Sequence, residues 1–263
     1  MHGHRGARAR RPENTLPAFE YAVAHGVDAI EMDLAVTRDN VIVISHDPIL
    51  EPPLCTGPQK SAVIRRLTLA EVRQWDCGAA PNPHFPAQQA ISGTRIPTLD
   101  DVLQLAPRGV FDYNLETKSF PDRPDYTPRP EEFARMVLQK IRQYKLEKRS
   151  ILQSFDFRTL VAMRKLAPEI RLSALVENDA REFVAIAAEA AEAEIVAPDF
   201  HLVTSQKVEA AHRAGVQVIP WTANTPADWE ALIQANVDGI ISDDPAALIA
   251  YLKNSGQRWD NDA

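Results

Sequence analysis

The sequence is poor in glycine and cysteine and has no long hydrophobic run. Its 263 residues include 10 glycines and 2 cysteines. No stretch approaches the roughly 20 apolar residues that a membrane-spanning helix needs, so we expect no stable insertion into a membrane. No glycine-rich phosphate-binding fingerprint follows a strand-like segment, which argues against a dinucleotide-binding sheet. The formal net charge of −7 argues against a general nucleic-acid-binding surface.

The two cysteines, Cys55 and Cys77, lie in one loop-rich region, and their spacing does not resemble that of a zinc site. We expect a reduced pair, with a disulfide as the alternative if the protein is exported. The chain opens directly on a polar motif with no secretory signal. This predicts a cytoplasmic protein, or a periplasmic or secreted one if a signal has been removed. Only three residues precede His4, so we expect either a very short first strand or missing upstream residues.

Strand-like and helix-like segments alternate along the chain, as the spacing of apolar residues and the β-branched runs indicate. Besides a short segment before Gly6, the predicted strands are 28–36, 41–45, 110–116, 151–154, 171–176, 194–197, 216–221 and 239–242. The predicted helices are 15–25, 98–105, 131–144, 156–166, 180–191, 205–214, 227–234 and 245–252. About eight strand–helix units in a single domain over 1–263 predict a TIM (β/α)8 barrel, with a doubly wound sheet as the runner-up.

Two irregular segments interrupt this alternation. Residues 47–96 hold seven prolines and one helical stretch near 69–75. Such a long irregular stretch inside a compact domain is typically functional or an inserted subdomain. We interpret it as an insertion over the mouth of the barrel. The loop at 119–130 is also longer than a typical strand–helix connection, and we expect it to shape the pocket for a particular alcohol.

Spaced acidic residues lie on two predicted strands. Glu31 and Asp33 project to the same side because residues two apart in a strand share a face. Two carboxylates side by side repel each other unless a cation lies between them, and oxygen ligands suit Mg²⁺ or Ca²⁺. Glu116 could complete this metal site, and Lys118 on the same side could neutralise a phosphate oxygen. The alternative for Glu31 and Asp33 is an exposed acidic pair, and the alternative for Glu116 and Lys118 is a simple surface salt bridge.

His4 and His46 each lie at the end of a strand-like segment. Hydrolysis of a phosphodiester needs a base for the nucleophile and an acid for the leaving alkoxide, and histidine suits both roles near neutral pH. Arg5 offers a fork of donors that matches two phosphate oxygens. The other histidines have no such context and are treated as background: His2, His25, His84, His201 and His212.

Supporting roles are predicted for several loop residues. Asn14 would hydrogen-bond a substrate or hold the loop, and Glu13 would ligate a metal indirectly or pair with Arg5. Trp221 would contact the alcohol portion of the substrate or pack at the rim. A solvated loop is expected for Arg8, Arg10 and Arg11. Asp243 and Pro245 are expected to cap the final helix rather than to join the chemistry.

Taken together, these residues resemble the glycerophosphodiester phosphodiesterase family. The resemblance covers essentially the whole chain and keeps the family's order, which makes the ordered set specific although each block alone is weak. The blocks are His4-Arg5-Gly6, Pro12-Glu13-Asn14-Thr15, Glu31-Met32-Asp33, Ser45-His46-Asp47, Pro97-Thr98-Leu99, Leu115-Glu116-Thr117-Lys118, Gln153-Ser154-Phe155, Trp221-Thr222-Ala223-Asn224 and Gly239 to Pro245.

The resemblance implies a TIM barrel with a small subdomain inserted after the second strand. It also implies hydrolysis of deacylated phospholipids to sn-glycerol 3-phosphate and an alcohol, with a divalent metal, Mg²⁺ or Ca²⁺, as cofactor. By that resemblance, His4 and His46 form the acid–base pair. The metal ligands would be Glu31, Asp33 and Glu116, and the phosphate would be contacted by Arg5 and Lys118.

Two other functions are weighed against this one. Lysophospholipase D or sphingomyelinase-D-like enzymes resemble the same barrel but act on acylated lipids and would need an apolar groove at the mouth. Such a groove could be supplied by Ile49, Leu50, Leu54, Phe85 and Ile91. A catalytically silent binding barrel is the other alternative, and the intact set of histidines and carboxylates argues against it. The sequence leaves open the head group, the native metal, the assignment of acid and base, and the oligomeric state.

Overall fold

Eight parallel strands curl into a barrel in the computed structural model, which describes residues 1–257. The strands are β1 (His2–Gly3), β2 (Ala29–Val36), β6 (Asp112–Thr117), β7 (Ser150–Ser154), β8 (Arg171–Val176), β9 (Ile195–Pro198), β10 (Gln217–Val218) and β11 (Ile241–Ser242). Their order is β10-β9-β8-β7-β6-β2-β1-β11. The two ends of this order are joined because the Asp238 amide donates to the Val218 carbonyl and the Ile241 amide to the Pro220 carbonyl, both at 2.9 Å. The predicted TIM barrel is confirmed.

Three further strands lie outside the parallel sheet. They are β3 (Ile42–Ile44), β4 (Ile49–Leu50) and β5 (Ala62–Val63). The predicted strand at 41–45 is therefore present as β3, but it pairs antiparallel with β2. This places His46, which follows β3, at the same end of the barrel as the C-terminal end of β2.

Helices connect the parallel strands and cover the outside of the barrel. They are α1 (Leu16–Ala24), α2 (Leu69–Val72), α3 (Leu99–Leu103), α4 (Pro130–Tyr144), α5 (Phe157–Leu166), α6 (Phe183–Glu189), α7 (Ser205–Arg213), α8 (Pro226–Gln234) and α9 (Pro245–Asn254). A capping box begins α3, because the Thr98 hydroxyl accepts from the Asp101 amide and the Asp101 carboxylate accepts from the Thr98 amide. Over the described residues, no helix combines the length and the apolar character needed to cross a bilayer.

The pattern of burial explains why these segments pack as a barrel. All eight residues of β2 are buried, as expected for a central parallel strand covered on both faces. The longest helix, α4, buries one stripe at helical spacing, formed by Phe133, Ala134, Val137, Leu138 and Ile141. Lys145, the residue after α4, has left-handed backbone geometry (φ 58°) and terminates the helix. The core therefore lies between the helices and the outer face of the sheet.

The predicted insertion forms a small hydrophobic cluster of its own. β4 and β5 pair antiparallel, and α2 follows them. The cluster packs on β2 and β3 against the face opposite to the helices, through Ala35, Val43, Leu50, Cys55, Ala62, Ile64, Val72, Trp75 and Ile96. Packing on β2 and β3 holds the segment next to the C-terminal end of the barrel.

Cys55 and Cys77 form a disulfide in this cluster, with their Cα atoms 4.1 Å apart. The expectation of a reduced pair is therefore wrong. Sequence separation alone did not reveal that the chain folds back after β5 and α2 to bring the two thiols together. The bond links the start of the insertion to the turn that follows Trp75.

Reducing this disulfide should lower the free energy of unfolding by about 3 kcal/mol, because it closes a loop with a sequence separation of 22 residues. Urea denaturation of the wild-type protein with and without a phosphine reductant measures the difference. The double variant Cys55→Ser/Cys77→Ser is the control, since its unfolding midpoint should not respond to the reductant. Equal midpoints for reduced and oxidised wild type would show that the bond contributes nothing to stability.

Candidate active site

Three buried carboxylates converge at the C-terminal ends of β2 and β6. Asp33 lies directly opposite Glu116 in the parallel register of the two strands, and Glu31 projects on the same side as Asp33. Glu31, Asp33 and Glu116 each offer an oxygen, and the three oxygens lie within 4.8 Å of one another. All three residues are buried, so the exposed acidic pair considered as an alternative is excluded.

The charges of this cluster are only partly balanced by the protein. Burial, together with the neighbouring charges of Asp33 and Glu116, raises the pKa of Glu31 well above its ordinary value. Burial also raises the pKa of Glu116 to about 7, although Lys118 acts in the opposite direction. Burial acts to raise the pKa of Asp33 as well, but the charges of Lys118 and Arg5 hold it well below its usual range. Buried oxygens that repel one another in this way fit a hard divalent cation.

Arg5 reaches this cluster from the loop after β1. Its amide donates to Glu31 Oε2 at 2.8 Å, and its Nη1 donates to Glu13 Oε1 at 2.7 Å. Its Nε lies 3.3 Å from Asp33 Oδ2 but is not aligned for a hydrogen bond, and within residues 1–257 this buried N–H has no hydrogen-bond partner. The loop turns sharply at Gly6 (φ 80°), where a Cβ atom would collide with the backbone of α1.

Lys118 is the second cation beside the carboxylates. Its Nζ donates to Glu116 Oε1 at 2.7 Å and lies 3.4 Å from Asp33 Oδ1. The side chain is 12% exposed, so the simple surface salt bridge considered as an alternative does not describe this pair. A buried cation that already contacts two carboxylates is placed to meet an anion bound at the same cluster.

Asn14 and Glu13 hold the loop in place. The Asn14 amide group donates to Asp33 Oδ2 at 2.8 Å, and its oxygen accepts from the Asp33 backbone amide at 3.3 Å. Glu13 pairs with Arg5 and also accepts at 3.2 Å from Asn82, which belongs to the insertion. These contacts agree with two of the predicted alternatives, in which Asn14 holds the loop and Glu13 pairs with Arg5. Any contact of either residue with substrate stays a prediction.

His4 is held by a carboxylate that the sequence reasoning did not assign to the site. Its Nδ1 lies 2.6 Å from Asp243 Oδ1, and its Nε2 lies 3.9 Å from Glu31 Oε2. Burial lowers the pKa of His4 to about 4, although Asp243 acts in the opposite direction. At neutral pH the ring is therefore uncharged, with its Nδ1 proton donated to Asp243 and the Nε2 lone pair directed to the acidic cluster.

Asp243 is fixed by two further donors. Arg8 donates from Nε to Oδ1 at 2.5 Å and from Nη2 to Oδ2 at 3.2 Å. Asn224 donates to Oδ2 at 2.7 Å, and its own oxygen accepts from the Asp243 amide at 2.9 Å. Although burial acts to raise the pKa of Asp243, its interactions with His4 and Arg8 hold it far below the usual range. The carboxylate is thus ionised and unable to rotate away from His4.

Two expectations about these residues are wrong. Asp243 does not cap the final helix; Asp244 does, by accepting from the Ala247 amide, with Pro245 at the first turn of α9. Arg8 is not a solvated loop residue, because it pairs with the buried Asp243. The signal that was missed is the pairing of β1 with β11, which places Gly3 opposite Ser242 and so brings the next residues of both strands together.

His46 lies across the cleft from β11, in the loop after β3. Its Nδ1 lies 2.8 Å from Asp47 Oδ1, and its side chain is 34% exposed. It lines a cleft of about 250 Å³ together with His4, Glu31 and Glu116. None of the five histidines treated as background lines this cleft, as far as the chain is described.

The cleft is completed by side chains from the opposite side of the barrel. Trp221 donates its indole N–H to the Ala197 carbonyl at 2.8 Å and packs against a cluster of isoleucines from the strands. The cleft is lined by His4, Arg5, Arg8, Glu31, His46, Glu116, Lys118, Gln153, Phe155, Leu175, Glu177, Trp221, Thr222 and Ile241. The loop at 119–130 contributes no lining residue; it contacts the insertion instead, through an ion pair of 3.1 Å between Arg66 and Asp125.

A smaller cavity of about 140 Å³ lies on the other side of His46, under the insertion. Ile49, Leu50 and Leu54 line it, as expected for an apolar groove. Phe85 lies instead under the Arg8 guanidinium, 4.9 Å from the ring centre. The insertion therefore supplies a small apolar pocket next to His46.

The sequence profile of the glycerophosphoryl diester phosphodiesterase family matches residues 4–247 of this chain. The chain belongs to this family. A glycerophosphodiester phosphodiesterase from Caldanaerobacter subterraneus subsp. tengcongensis is 32% identical over 257 residues, which is 96% of this chain and 97% of that protein. The protein is therefore an enzyme that cleaves glycerophosphodiesters.

Solved structures agree with this membership. A Silicibacter pomeroyi protein assigned to the glycerophosphoryl diester phosphodiesterases has a TM-score of 0.90 and 31% identity, over 98% of this chain and 94% of its own. A phosphodiesterase from Oleispira antarctica, solved in complex with the product sn-glycerol-3-phosphate, shares the fold with a TM-score of 0.82 at 23% identity, over 96% of each chain. The resemblance to glycerophosphodiester phosphodiesterases predicted from the motifs is confirmed.

Proposed function

We propose that the protein hydrolyses glycerophosphodiesters to sn-glycerol 3-phosphate and an alcohol in a reaction that depends on a divalent metal and on His4 and His46. The observation that carries this proposal is the convergence of three buried carboxylates next to a neutral histidine whose Nδ1 is bonded to Asp243. The bound product in the Oleispira antarctica phosphodiesterase supports the choice of product.

A hard cation such as Mg²⁺ or Ca²⁺ fits the oxygen donors of Glu31, Asp33 and Glu116. When bound, it would polarise a phosphoryl oxygen and spread the charge of the substrate. Arg5 and Lys118 would contact the same phosphate, since both cations border the cluster and Arg5 carries an unpaired buried N–H. These two side chains would orient the phosphodiester between the two histidines.

His4 is proposed as the general base. Its lowered pKa leaves the ring unprotonated near neutral pH, and the bond to Asp243 would stabilise the imidazolium that forms when Nε2 takes a proton. The nucleophile is water or the 2-hydroxyl of the glycerol group; the second gives a cyclic phosphate intermediate. His46 is proposed as the acid that protonates the leaving alkoxide, with Asp47 at 2.8 Å to hold its ring.

The disulfide between Cys55 and Cys77 is relevant to the cellular compartment in which the protein resides. Disulfides persist in oxidising compartments and are rare in the cytosol. We therefore favour the periplasmic or secreted alternative over the cytoplasmic one. Alkylation of free thiols at the moment of cell lysis tests this, because modification of Cys55 and Cys77 in unreduced protein would contradict an oxidised pair in the cell.

Phosphorus-31 NMR tests the proposed reaction directly. With glycerophosphocholine and Mg²⁺ or Ca²⁺, we expect a growing sn-glycerol 3-phosphate signal that EDTA abolishes. A transient cyclic glycerophosphate would identify the 2-hydroxyl as the nucleophile. Turnover that EDTA does not affect would contradict the metal dependence, and absence of turnover with every glycerophosphodiester would contradict the proposal as a whole.

The apolar pocket next to His46 is the one observation that favours an enzyme acting on acylated lipids. A cavity of about 140 Å³ is close to the size that accepts a single benzene ring. A long acyl chain would therefore extend beyond it over the exposed prolines of the insertion. This is why we prefer deacylated substrates; lysophosphatidylcholine in the same NMR assay tests the alternative.

A further inference from the structure

The wall of the cleft on the β7–β10 side contains residues that the proposed mechanism does not use. Phe155, Glu177 and Trp221 follow the C-terminal ends of β7, β8 and β10, and all three line the cleft. The acidic cluster lies on β2 and β6, on the other side of the same cleft. A phosphodiester held at the cluster would therefore direct one of its two substituents towards this wall.

Among the carboxylates that line the cleft in the described part of the chain, Glu177 is the one that no hydrogen-bond donor contacts. Glu31 accepts from the Arg5 amide, and Glu116 accepts from Lys118. Glu177 has no ion pair or hydrogen bond to any other residue in the described part of the chain. Its side chain is exposed at the mouth, so its charge is free to act on a bound ligand.

Two aromatic rings border the same part of the cleft. Phe155 is 43% exposed, so part of its ring is accessible to a ligand in the cleft. Its ring meets that of Trp221 edge-on, with centroids 5.5 Å apart and an angle of 87° between the planes. Because the Trp221 N–H is bonded to the Ala197 carbonyl, the indole is held in a fixed orientation. The faces of aromatic rings carry partial negative charge and attract cations.

We propose that Glu177, with Phe155 and Trp221, forms a subsite for an alcohol group that carries a cationic amine, and that Glu177 is a specificity-determining residue. This rests on the proposed function, since it concerns the alcohol of the same substrates. An unpaired carboxylate beside two aromatic rings attracts a primary or quaternary ammonium group and repels an anionic one. The Lys118 ammonium lies 5.8 Å from the Phe155 ring centre. It does not take the place of the ligand's ammonium group in the proposed subsite, because Asp33 and Glu116 already neutralise its charge.

The test is the ratio of kcat/KM for glycerophosphocholine to kcat/KM for glycerophosphoglycerol, whose alcohol is neutral. Replacing Glu177 by glutamine should lower this ratio about tenfold, and Glu177→Lys should lower it further. The matched control is Glu182→Gln, an exposed carboxylate outside the cleft, which should keep the wild-type ratio. A melting temperature equal to that of wild type confirms that Glu177→Gln leaves the fold intact.

Two kinetic outcomes would overturn the inference. An unchanged ratio in both Glu177 variants would show that the charge does not act on the alcohol. Equal losses with both substrates would show that Glu177 contacts the glycerol group that they share. Failure of the proposed function is a different result, because wild type would then turn over neither substrate in the presence of metal.

A binding measurement keeps the inference testable without turnover. Saturation-transfer NMR should detect contact between the wild-type protein and the methyl protons of choline. The contact should weaken in Glu177→Gln and persist in Glu182→Gln. The uncharged analogue 3,3-dimethylbutan-1-ol has the same shape as choline; if it displaced choline at equal concentration, recognition would be apolar and the proposed role of Glu177 would be wrong.

Discussion

Replacing His4 by alanine should lower kcat/KM for glycerophosphocholine by about 10³–10⁴-fold, at the upper end of what general acid–base catalysis contributes. The physical reason is that the substitution removes the Nε2 lone pair, which faces the acidic cluster 3.9 Å from Glu31, and the hydrogen bond between Nδ1 and Asp243 that orients the ring. Steady-state kinetics at saturating metal measures the effect. Near-normal turnover in this variant would exclude His4 as the base.

His46→Ala should cause a comparable loss with glycerophosphocholine, because the choline alkoxide must be protonated as it leaves. The two variants should differ with a 4-nitrophenyl ester of glycerol phosphate, whose leaving group needs no proton. His46→Ala should then recover most of the wild-type rate, whereas His4→Ala should not. Recovery in His4→Ala instead would reverse the assignment of base and acid.

Asp243 provides a check on how His4 is held. Asp243→Asn should lower kcat by at least about 10²-fold with little change in KM, because the amide can present its N–H to Nδ1 and stabilise the wrong tautomer. The thermal shift produced by metal should persist in this variant, since Asp243 lies outside the acidic cluster. Equal losses of metal binding and turnover would indicate a general disruption of the site rather than positioning of His4.

Removal of the divalent metal should abolish turnover and lower the melting temperature. At a metal concentration near 100 times the dissociation constant, binding adds about 2.7 kcal/mol, which corresponds to about 5–10 °C for a chain of this size. Burial and mutual repulsion raise the pKa of Glu31 and Glu116 in the metal-free protein, so binding should release protons near pH 6–7. Differential scanning fluorimetry and calorimetry in buffers of different ionisation enthalpy measure the two effects.

Single amide substitutions identify the ligands. Glu31→Gln, Asp33→Asn and Glu116→Gln should each remove most of the metal-induced shift and most of the activity, since each replaces a charged ligand by a neutral one. Glu209→Gln, on the exposed face of α7 and paired with Arg213, is the matched control and should retain both. A full thermal shift in all three cluster variants would exclude this cluster as the metal site.

The spacing of Glu31 and Asp33 along one strand was enough to predict that these two carboxylates lie side by side. Residues two apart on a strand share a face, which places Glu31 beside Asp33 without any knowledge of the fold. Glu116 was proposed as a third ligand from its place on another predicted strand, and the pairing of β2 with β6 that brings it opposite Asp33 became visible only in the structure. The alternation of strands and helices predicted the barrel, since eight units in one domain rarely form anything else.

Contacts that depend on closure of the barrel or on the path of an irregular segment were not predicted. Asp243 stands 239 residues from His4, and only the pairing of the first strand with the last brings them together. Cys55 and Cys77 meet because a proline-rich segment folds back on itself, and no periodic pattern specifies that path. The ion pair of Arg8 was not predicted because its partner, Asp243, comes close only when the barrel closes.

The pairing of β1 with β11 also has a consequence for synthesis on the ribosome. His4 is synthesised long before residues 241–243, which supply the strand and the carboxylate that align it. Seven of the eight barrel strands can pair with a sequential neighbour before then, but the imidazole has no partner to orient it. The proposed base therefore acquires its orientation only after residue 243 has been synthesised, and we expect chains that stop before this residue to be inert towards phosphodiesters.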